Sequence, residues 1–335
     1  PIGVVHRIEP HSLGSLPGKR LGYSRWAEQS EALRTMLGSY RVVAMQHSPN
    51  CAIPYVAMVD GGTIDLIRSF GIDVRSSADL VQVFEARWSE NQLQSHLQAG
   101  AVIDKIRADA FALVADSLRS RHALSEFTLK QFVLDGFSEH GLATDHGPIV
   151  AVNGNASDPH YEPTQDRSQG IQEGDLLLLD MWAKFLSPGS VYYDITWTAY
   201  CGSSAPDKMQ KVFGVVSGAR DAAVDFLDKS LAAGLHIRGF QVDDAARKYI
   251  EQRGYGEYFF HRTGHSIGEE VHGAGANMDN YETHDERRIV QSTCFSIEPG
   301  VYLPDFGIRS EVNVFVEAAG GRVTGEKQHS LLTLI

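Results

Sequence analysis

The sequence predicts an α+β protein: a duplicated helix–helix–strand–strand domain over residues 86–335, preceded by a small α/β unit over residues 1–85. Up to about residue 85, short strand-like and helix-like pieces alternate, which is the pattern of a small α/β layer. Beyond that point pairs of helices are followed by pairs of strands, and this order occurs twice. The composition is that of a globular chain, since 43% of the 335 residues are hydrophobic and 21% charged. Disordered, collagen-like and coiled-coil architectures are excluded on that ground.

In the first unit, residues 20–23 and 41–45 read as strands, and 26–37 as a helix stopped by Gly38 in the left-handed conformation. Residues 62–70 read as a helix ending at Gly71, and 72–75 as the next strand. The unit groups few polar residues of a catalytic kind and reads as a wall or a dimerisation piece. The second unit opens with a long helix through 90–118. Another starts at Thr128 with Gln131 completing a capping box; its apolar face is Leu129, Phe132, Val133 and Phe137, and Gly141 ends it. Strands follow at 149–153 and 176–183. In the second copy, Met209, Val212, Phe213, Val216, Ala219, Ala223 and Phe226 mark one face at helical period. Residues 242–252 form its partner helix, stopped by Gly254, with strands at 266–271 and 294–301. Duplication implies a pseudo-twofold axis, with a cleft where the two sheets meet.

Lys and Arg number 30 against 42 Asp and Glu, a net charge of −12, and no Lys/Arg block interrupts the chain. This argues against nucleic acid or an anionic membrane as the main partner but suits a cationic or zwitterionic small substrate. Cys51, Cys201 and Cys294 are too scattered for a disulfide framework or a CxxC zinc site, so a reducing compartment is expected. No apolar run approaches a membrane span, and the start shows no signal peptide. These features point to a soluble cytoplasmic protein.

Certain polar residues stand out against that frame. Asp180 follows four leucines on a strand expected to be buried, where a lone carboxylate requires a cation or several donors. The spacing to Asp194 fits two strands joined by a turn at Ser187-Pro188-Gly189. In the second copy, His265 lies in Thr263-Gly264-His265, His272 follows Val271, Glu298 precedes Pro299-Gly300, and Glu311 follows Arg309-Ser310. Singly, each would be read as a turn, cap or core residue. Together, four carboxylates and one histidine end apolar strands in both halves of the repeat, and they would repel one another unless cations lay between them. Oxygen donors with one imidazole suit manganese, cobalt, iron or zinc, and four carboxylates exceed what one ion needs, so two divalent metal ions are expected.

At these residues the chain resembles the pita-bread metallopeptidases, the family of methionine aminopeptidase, aminopeptidase P and prolidase. The matching stretches are Asn155-Ala156-Ser157-Asp158-Pro159-His160-Tyr161, Asp194-Ile195-Thr196, Thr263-Gly264-His265 with Val271-His272, and Glu298-Pro299-Gly300-Val301-Tyr302 with Arg309-Ser310-Glu311. They span about residues 85–335, and Pro159-His160-Tyr161 is most like the proline-directed branch. The resemblance implies a duplicated pita-bread catalytic domain behind a shortened amino-terminal domain that lacks its opening strands. It implies that Asp180 chelates one metal, Asp194 and Glu311 bridge both, and His265 and Glu298 complete the second site. A metal-bridging hydroxide would attack, Glu298 would take and pass on its proton, and His160 and His272 would donate hydrogen bonds to the substrate carbonyl or the tetrahedral intermediate. Manganese, a small peptide substrate with a free amino terminus, Xaa-Pro dipeptidase or aminopeptidase activity and a homodimer follow from the same resemblance.

The departures fall around the substrate. Gly273-Ala274-Gly275 follows His272 where relatives carry Glu and then Pro, and the arginine with which some prolidases hold the substrate carboxylate is missing there. Arg309 either substitutes for it as a substrate-binding residue or forms a structural ion pair. Trp182 and Trp197 stand where Gly and Arg are usual and either line the pocket or, as is expected of tryptophan, pack the core. The connection between the two Asp ligands is longer than usual. Two other functions share the fold: non-peptidase small-molecule chemistry, as a creatinase-like C–N hydrolase or a metal-dependent sulfonium lyase, and a non-catalytic binding module.

Overall fold

The structure is a computed structural model that describes all 335 residues. The chain divides into two compact units, Pro1–Leu80 and Val81–Ile335.

The first unit holds two parallel strand pairs, β1 (Ile2–His6) with β2 (Lys19–Tyr23) and β3 (Val42–Met45) with β4 (Asp73–Ser76), and two helices, α1 (Trp26–Leu37) and α2 (Gly61–Ser69). Its core is small: Ile64, Ile67, Ile72 and Val74, flanked by Leu33, Leu37, Val43 and Met45. Asp60 caps α2 by accepting from the Thr63 backbone N–H at 3.0 Å. Gly38 corrects the sequence expectation. It ends α1 at φ −63°, in the right-handed region, with its N–H on the Arg34 carbonyl at 2.8 Å. Gly71 is the left-handed residue, at φ +81° after α2.

After α3 (Ala78–Glu85), the second unit is built from two copies of a helix pair on a sheet. The first copy has α4 (Glu90–Ser120), α5 (Glu126–Glu139), β5 (Leu142–Ala143), β6 (Ile149–Val152), β7 (Leu176–Phe185) and β8 (Tyr193–Tyr200). The second has α6 (Asp207–Ala232), α7 (Gly239–Glu251), β9 (Ser266–Ile267), β10 (Cys294–Ile297), β11 (Gly300–Tyr302), β12 (Gly307–Arg309), β13 (Val312–Glu317) and β14 (Gly320–Thr324), and β15 (Leu332–Thr333) closes the chain. One sheet runs β15-β8-β7-β5 with β6 also on β7; the other runs β14-β13-β10-β9, and β11 pairs with β12. The α+β, duplicated architecture expected from the repeat is the one observed.

Strand alternation decides what faces the helices. Leu177, Leu179, Met181 and Ala183 of β7, with Tyr193, Ile195, Trp197 and Ala199 of β8, pack on α4 and α5 residues such as Ile103, Ile106, Leu129 and Val133. The even-numbered residues, Asp180, Asp194, Thr196 and Thr198 among them, therefore face the other way. A second core joins α6 and α7 to β10 and β13. A third draws on both halves, with Ile149, Leu178 and Trp182 from one and Ile267, Val271 and Cys294 from the other. Each fully buried aliphatic side chain contributes about 2 kcal/mol.

Several boundaries differ from expectation, three of them for a clear local reason. The α5 cap is Ser125, whose hydroxyl accepts from the Thr128 N–H at 3.1 Å, so the helix starts at Glu126. The strand expected over 266–271 is only Ser266–Ile267, because Gly273 returns its N–H to the Ser266 carbonyl at 2.6 Å. The strand expected over 294–301 breaks at Pro299, which has no N–H for a ladder; β10 ends at Ile297 and β11 begins a separate pair.

Candidate metal centre

The β7–β8 hairpin sets two of the acidic residues. Its register pairs Asp180 with Thr196 and Trp182 with Asp194, so the two aspartates are diagonal neighbours on one face, about 7 Å apart. Both are buried. Asn313 on β13 holds the Asp194 backbone from both sides, accepting its N–H at 3.2 Å and donating to its carbonyl. This pins one sheet to the other at the site.

The opposite half supplies the rest. His265 enters through Gly264, where any Cβ would lie 1.9 Å from the Ser296 carbonyl; only glycine lets the chain pass. The Ser296 hydroxyl then accepts the His265 N–H at 3.0 Å and donates to Glu298 Oε1 at 3.1 Å, tying two site residues together. His265 Nε2 lies 3.5 Å from Asp194 Oδ2 and 3.5 Å from Glu298 Oε1. Ligand atoms of Asp194, His265 and Glu311 all lie within 4.8 Å of one another. Thr196 reaches Glu311 Oε2 with its hydroxyl at 2.8 Å and accepts Arg309 Nε at 3.0 Å.

The electrostatics are those of a crowded acidic centre. Burial, reinforced by Asp194 and Glu298, pushes Asp180 up to about 7 despite the Arg309 guanidinium. Burial raises Asp194 as well, and burial with Asp194 and Glu298 raises Glu311 far above the carboxylate range. Burial would also raise Glu298, but His265, Arg309 and His261 outweigh it and hold its carboxyl below the usual value. Glu311 Oε1 is buried without a hydrogen-bond partner. An orphaned acceptor among carboxylates that burial drives toward protonation is an arrangement that fits a cation. The donor set, oxygen with one imidazole, fits a hard or borderline divalent metal ion.

These residues lie at the base of a cavity of about 680 Å³. Of the eight residues singled out in the sequence, Asp180, Asp194, His265, Glu298, His160, His272 and Arg309 line it, while Glu311 sits behind them on Thr196. His160 and His272 are exposed. His272 stands edge-on to His265, with ring centroids 4.4 Å apart. Arg309 is buried and forms an ion pair with Asp180; it also donates to Tyr302 at 3.2 Å. Arg309 thus makes the ion pair and also lines the cavity. Trp182 does both: it packs in the third core, as expected of tryptophan, and one side of it lines the cavity. Trp197 does pack the core, with the Arg107 guanidinium 3.5 Å over its ring.

Residues the sequence did not single out also line the cavity, including His146, Phe260, His261, Arg262 and Glu282. His261 bonds Tyr302 Oη at 2.7 Å. His261 stands only four residues before His265, which is the one hint of it that the sequence carries. Glu282 had none. It reaches Arg262 because the buried Asp279 accepts the N–H groups of Tyr281, Glu282 and Thr283, folding a tight turn from a polar stretch.

The model of metallopeptidase family M24 matches residues 94–318. An Xaa-Pro dipeptidase of Lactobacillus delbrueckii subsp. lactis is 30% identical over 224 residues, covering 67% of this chain and 55% of that protein. An Xaa-Pro dipeptidase of Pyrococcus furiosus is 25% identical over 257 residues, covering 76% of this chain and 67% of its own length. The chain thus spans little more than half of the Lactobacillus relative. Among solved structures, dipeptidase PepE from Mycobacterium ulcerans superposes with a TM-score of 0.69 at 23% identity, over 100% of this chain and 84% of that one. An X-Pro aminopeptidase from Thermotoga maritima gives 0.64 at 20% identity, over 99% and 87%. At these identities the likeness is one of fold.

Proposed function

The chain belongs to metallopeptidase family M24, and from that premise we propose that it hydrolyses the amino-terminal Xaa-Pro bond of small peptides, as a dipeptidase or an aminopeptidase. The carrying observation is the convergence of Asp194, His265 and Glu311, beside Asp180 and Glu298, with one Glu311 oxygen left unpartnered. The Xaa-Pro dipeptidases among the relatives support the choice of bond.

Asp180, Asp194, His265, Glu298 and Glu311 would hold two divalent ions, and the oxygen-rich set favours manganese. Bound there, the ions would supply a nucleophilic hydroxide near neutral pH and polarise the scissile carbonyl. The chain's own groups do the rest. Glu298, ionised because its cationic neighbours outweigh burial, takes a proton from the attacking water and delivers it to the prolyl nitrogen, which has no N–H of its own. His272 and His160, both on the cavity wall, donate hydrogen bonds to the carbonyl oxygen as charge develops on it. Arg309 holds Asp180 in place by its ion pair and keeps that buried carboxylate available as a ligand. A homodimer working in a reducing compartment belongs to the same reading, and the three free cysteines are consistent with the latter. No helix is long and apolar enough to cross a membrane.

The test offers manganese-loaded protein an Xaa-Pro dipeptide and an Xaa-Pro tripeptide, with released amino acids followed by mass spectrometry. Cleavage of the dipeptide alone is the dipeptidase outcome, and cleavage of the tripeptide the aminopeptidase outcome. Silence on both, with metal bound, would contradict the peptidase reading and favour other small-molecule chemistry on the same fold.

A further inference from the structure

Trp182 sits where the hairpin register makes it the direct cross-strand partner of Asp194, two residues along the same face from Asp180. Side chains so paired have Cβ atoms about 5 Å apart, so the indole stands at the edge of the acidic centre. Its position is built. The indole N–H donates to Asp145 Oδ1 at 3.1 Å, and the His146 ring meets it edge-on at 5.1 Å. Gly147, at φ +47°, passes so close that a Cβ there would lie 2.9 Å from the ring. Val271 and His272 also line the cavity. Only 7% of Trp182 is exposed, so the ring is a wall and not a mobile flap.

We infer that Trp182 sets the size of the side chain that a substrate can place beside Asp194, restricting the residue there to a small one such as Gly or Ala. The inference rests on the reading of this cavity as the metal-dependent site, but not on the choice of the Xaa-Pro bond. A rigid ring held from its polar edge and from Gly147 cannot retreat without breaking the Asp145 bond. A bulky substrate group would then meet protein instead of space, a mismatch that costs tenfold or more in affinity, on the order seen when a pocket rejects extra methylenes.

The test measures binding, not turnover. The hydroxamates of glycine, alanine, leucine and phenylalanine are titrated calorimetrically into manganese-loaded wild-type protein and Trp182→Ala, with metal content and melting temperature checked for both. Wild-type affinity is expected to fall by about tenfold or more from the alanine to the phenylalanine compound, and Trp182→Ala to lose that fall. Equal affinity across the series in wild type, or an unchanged fall in the variant, overturns the inference. If Trp182→Ala does not fold, Trp182→Leu is judged by the same ratio. Ala-Pro and Phe-Pro dipeptides run alongside. Cleavage of neither, with the hydroxamate pattern intact, removes the Xaa-Pro reading and leaves the wall standing.

Discussion

Asp194→Asn is expected to cut turnover about 1,000-fold or more while leaving the fold intact, a loss of about 4 kcal/mol in transition-state stabilisation. The reason lies in how Asp194 is held. Asn313 grips its backbone N–H and carbonyl, so strand pairing does not depend on the carboxylate. Burial raises the Asp194 pKa, so a neutral amide of the same shape removes a charge that the metal-free protein accommodates poorly. The metal-free variant should therefore melt at or above the wild-type temperature. What the variant lacks is an anionic ligand facing both His265 and Glu311. Manganese at a hundred times its dissociation constant should stabilise wild type by about 2.7 kcal/mol and the variant by far less. Normal turnover in Asp194→Asn, measured with the substrate that wild type cleaves, would mean that the metal reading is wrong.

Glu126→Ala should destabilise the second unit by about 4 kcal/mol, an effect of the same order at a residue with no part in the chemistry. Glu126 is fully buried. Its Oε1 accepts from the Val152 N–H at 2.8 Å and the Asn155 amide at 2.9 Å; its Oε2 accepts from Tyr161 at 2.7 Å and the Gln169 N–H at 2.7 Å. Truncation would strand these donors in a dry interior, each at about 1 kcal/mol or more. It would also untie the segment from Asn153 to Tyr161 that carries His160 to the cavity. A fall of about 10 °C in melting temperature is expected, with Glu126→Gln losing less because its carbonyl still accepts. A loss below about 1 kcal/mol in urea titration would show that these bonds are replaceable by water.

How much of this was legible depended on the range of the interactions. Periodicity is local, so the β7–β8 hairpin and every helix except α3 could be read from the sequence. The same is true of Asp180, because a carboxylate behind four leucines is conspicuous without any partner in view. Glu126 could not be read as it is. A glutamate at the first position of a helix looks like a surface charge placed on the dipole, and only contacts with residues 26 to 43 positions away make it a buried anchor. The contacts of Thr196 and Asn313 were hidden for the same reason, since their partners lie more than a hundred residues off. Trp182 was read from the average behaviour of tryptophan, which favours the core where it does sit, so its second role on the cavity wall was hidden. The register that places it opposite Asp194 is a property of the folded hairpin. Gly38 failed for a different reason: a helix can end in a right-handed turn when the following residues need no reversal, and glycine permits that as readily as the left-handed stop.

In the proposed function, four carboxylates and one histidine, brought together from both halves of a duplicated fold, hold two divalent ions. Calorimetric titration of the metal-stripped protein with manganese, with Glu311→Gln titrated alongside, tests this metal binding most directly. Two equivalents per chain in wild type, with at least one lost in Glu311→Gln, is the predicted result. Fewer than two equivalents in wild type, or two retained in the variant, would contradict it.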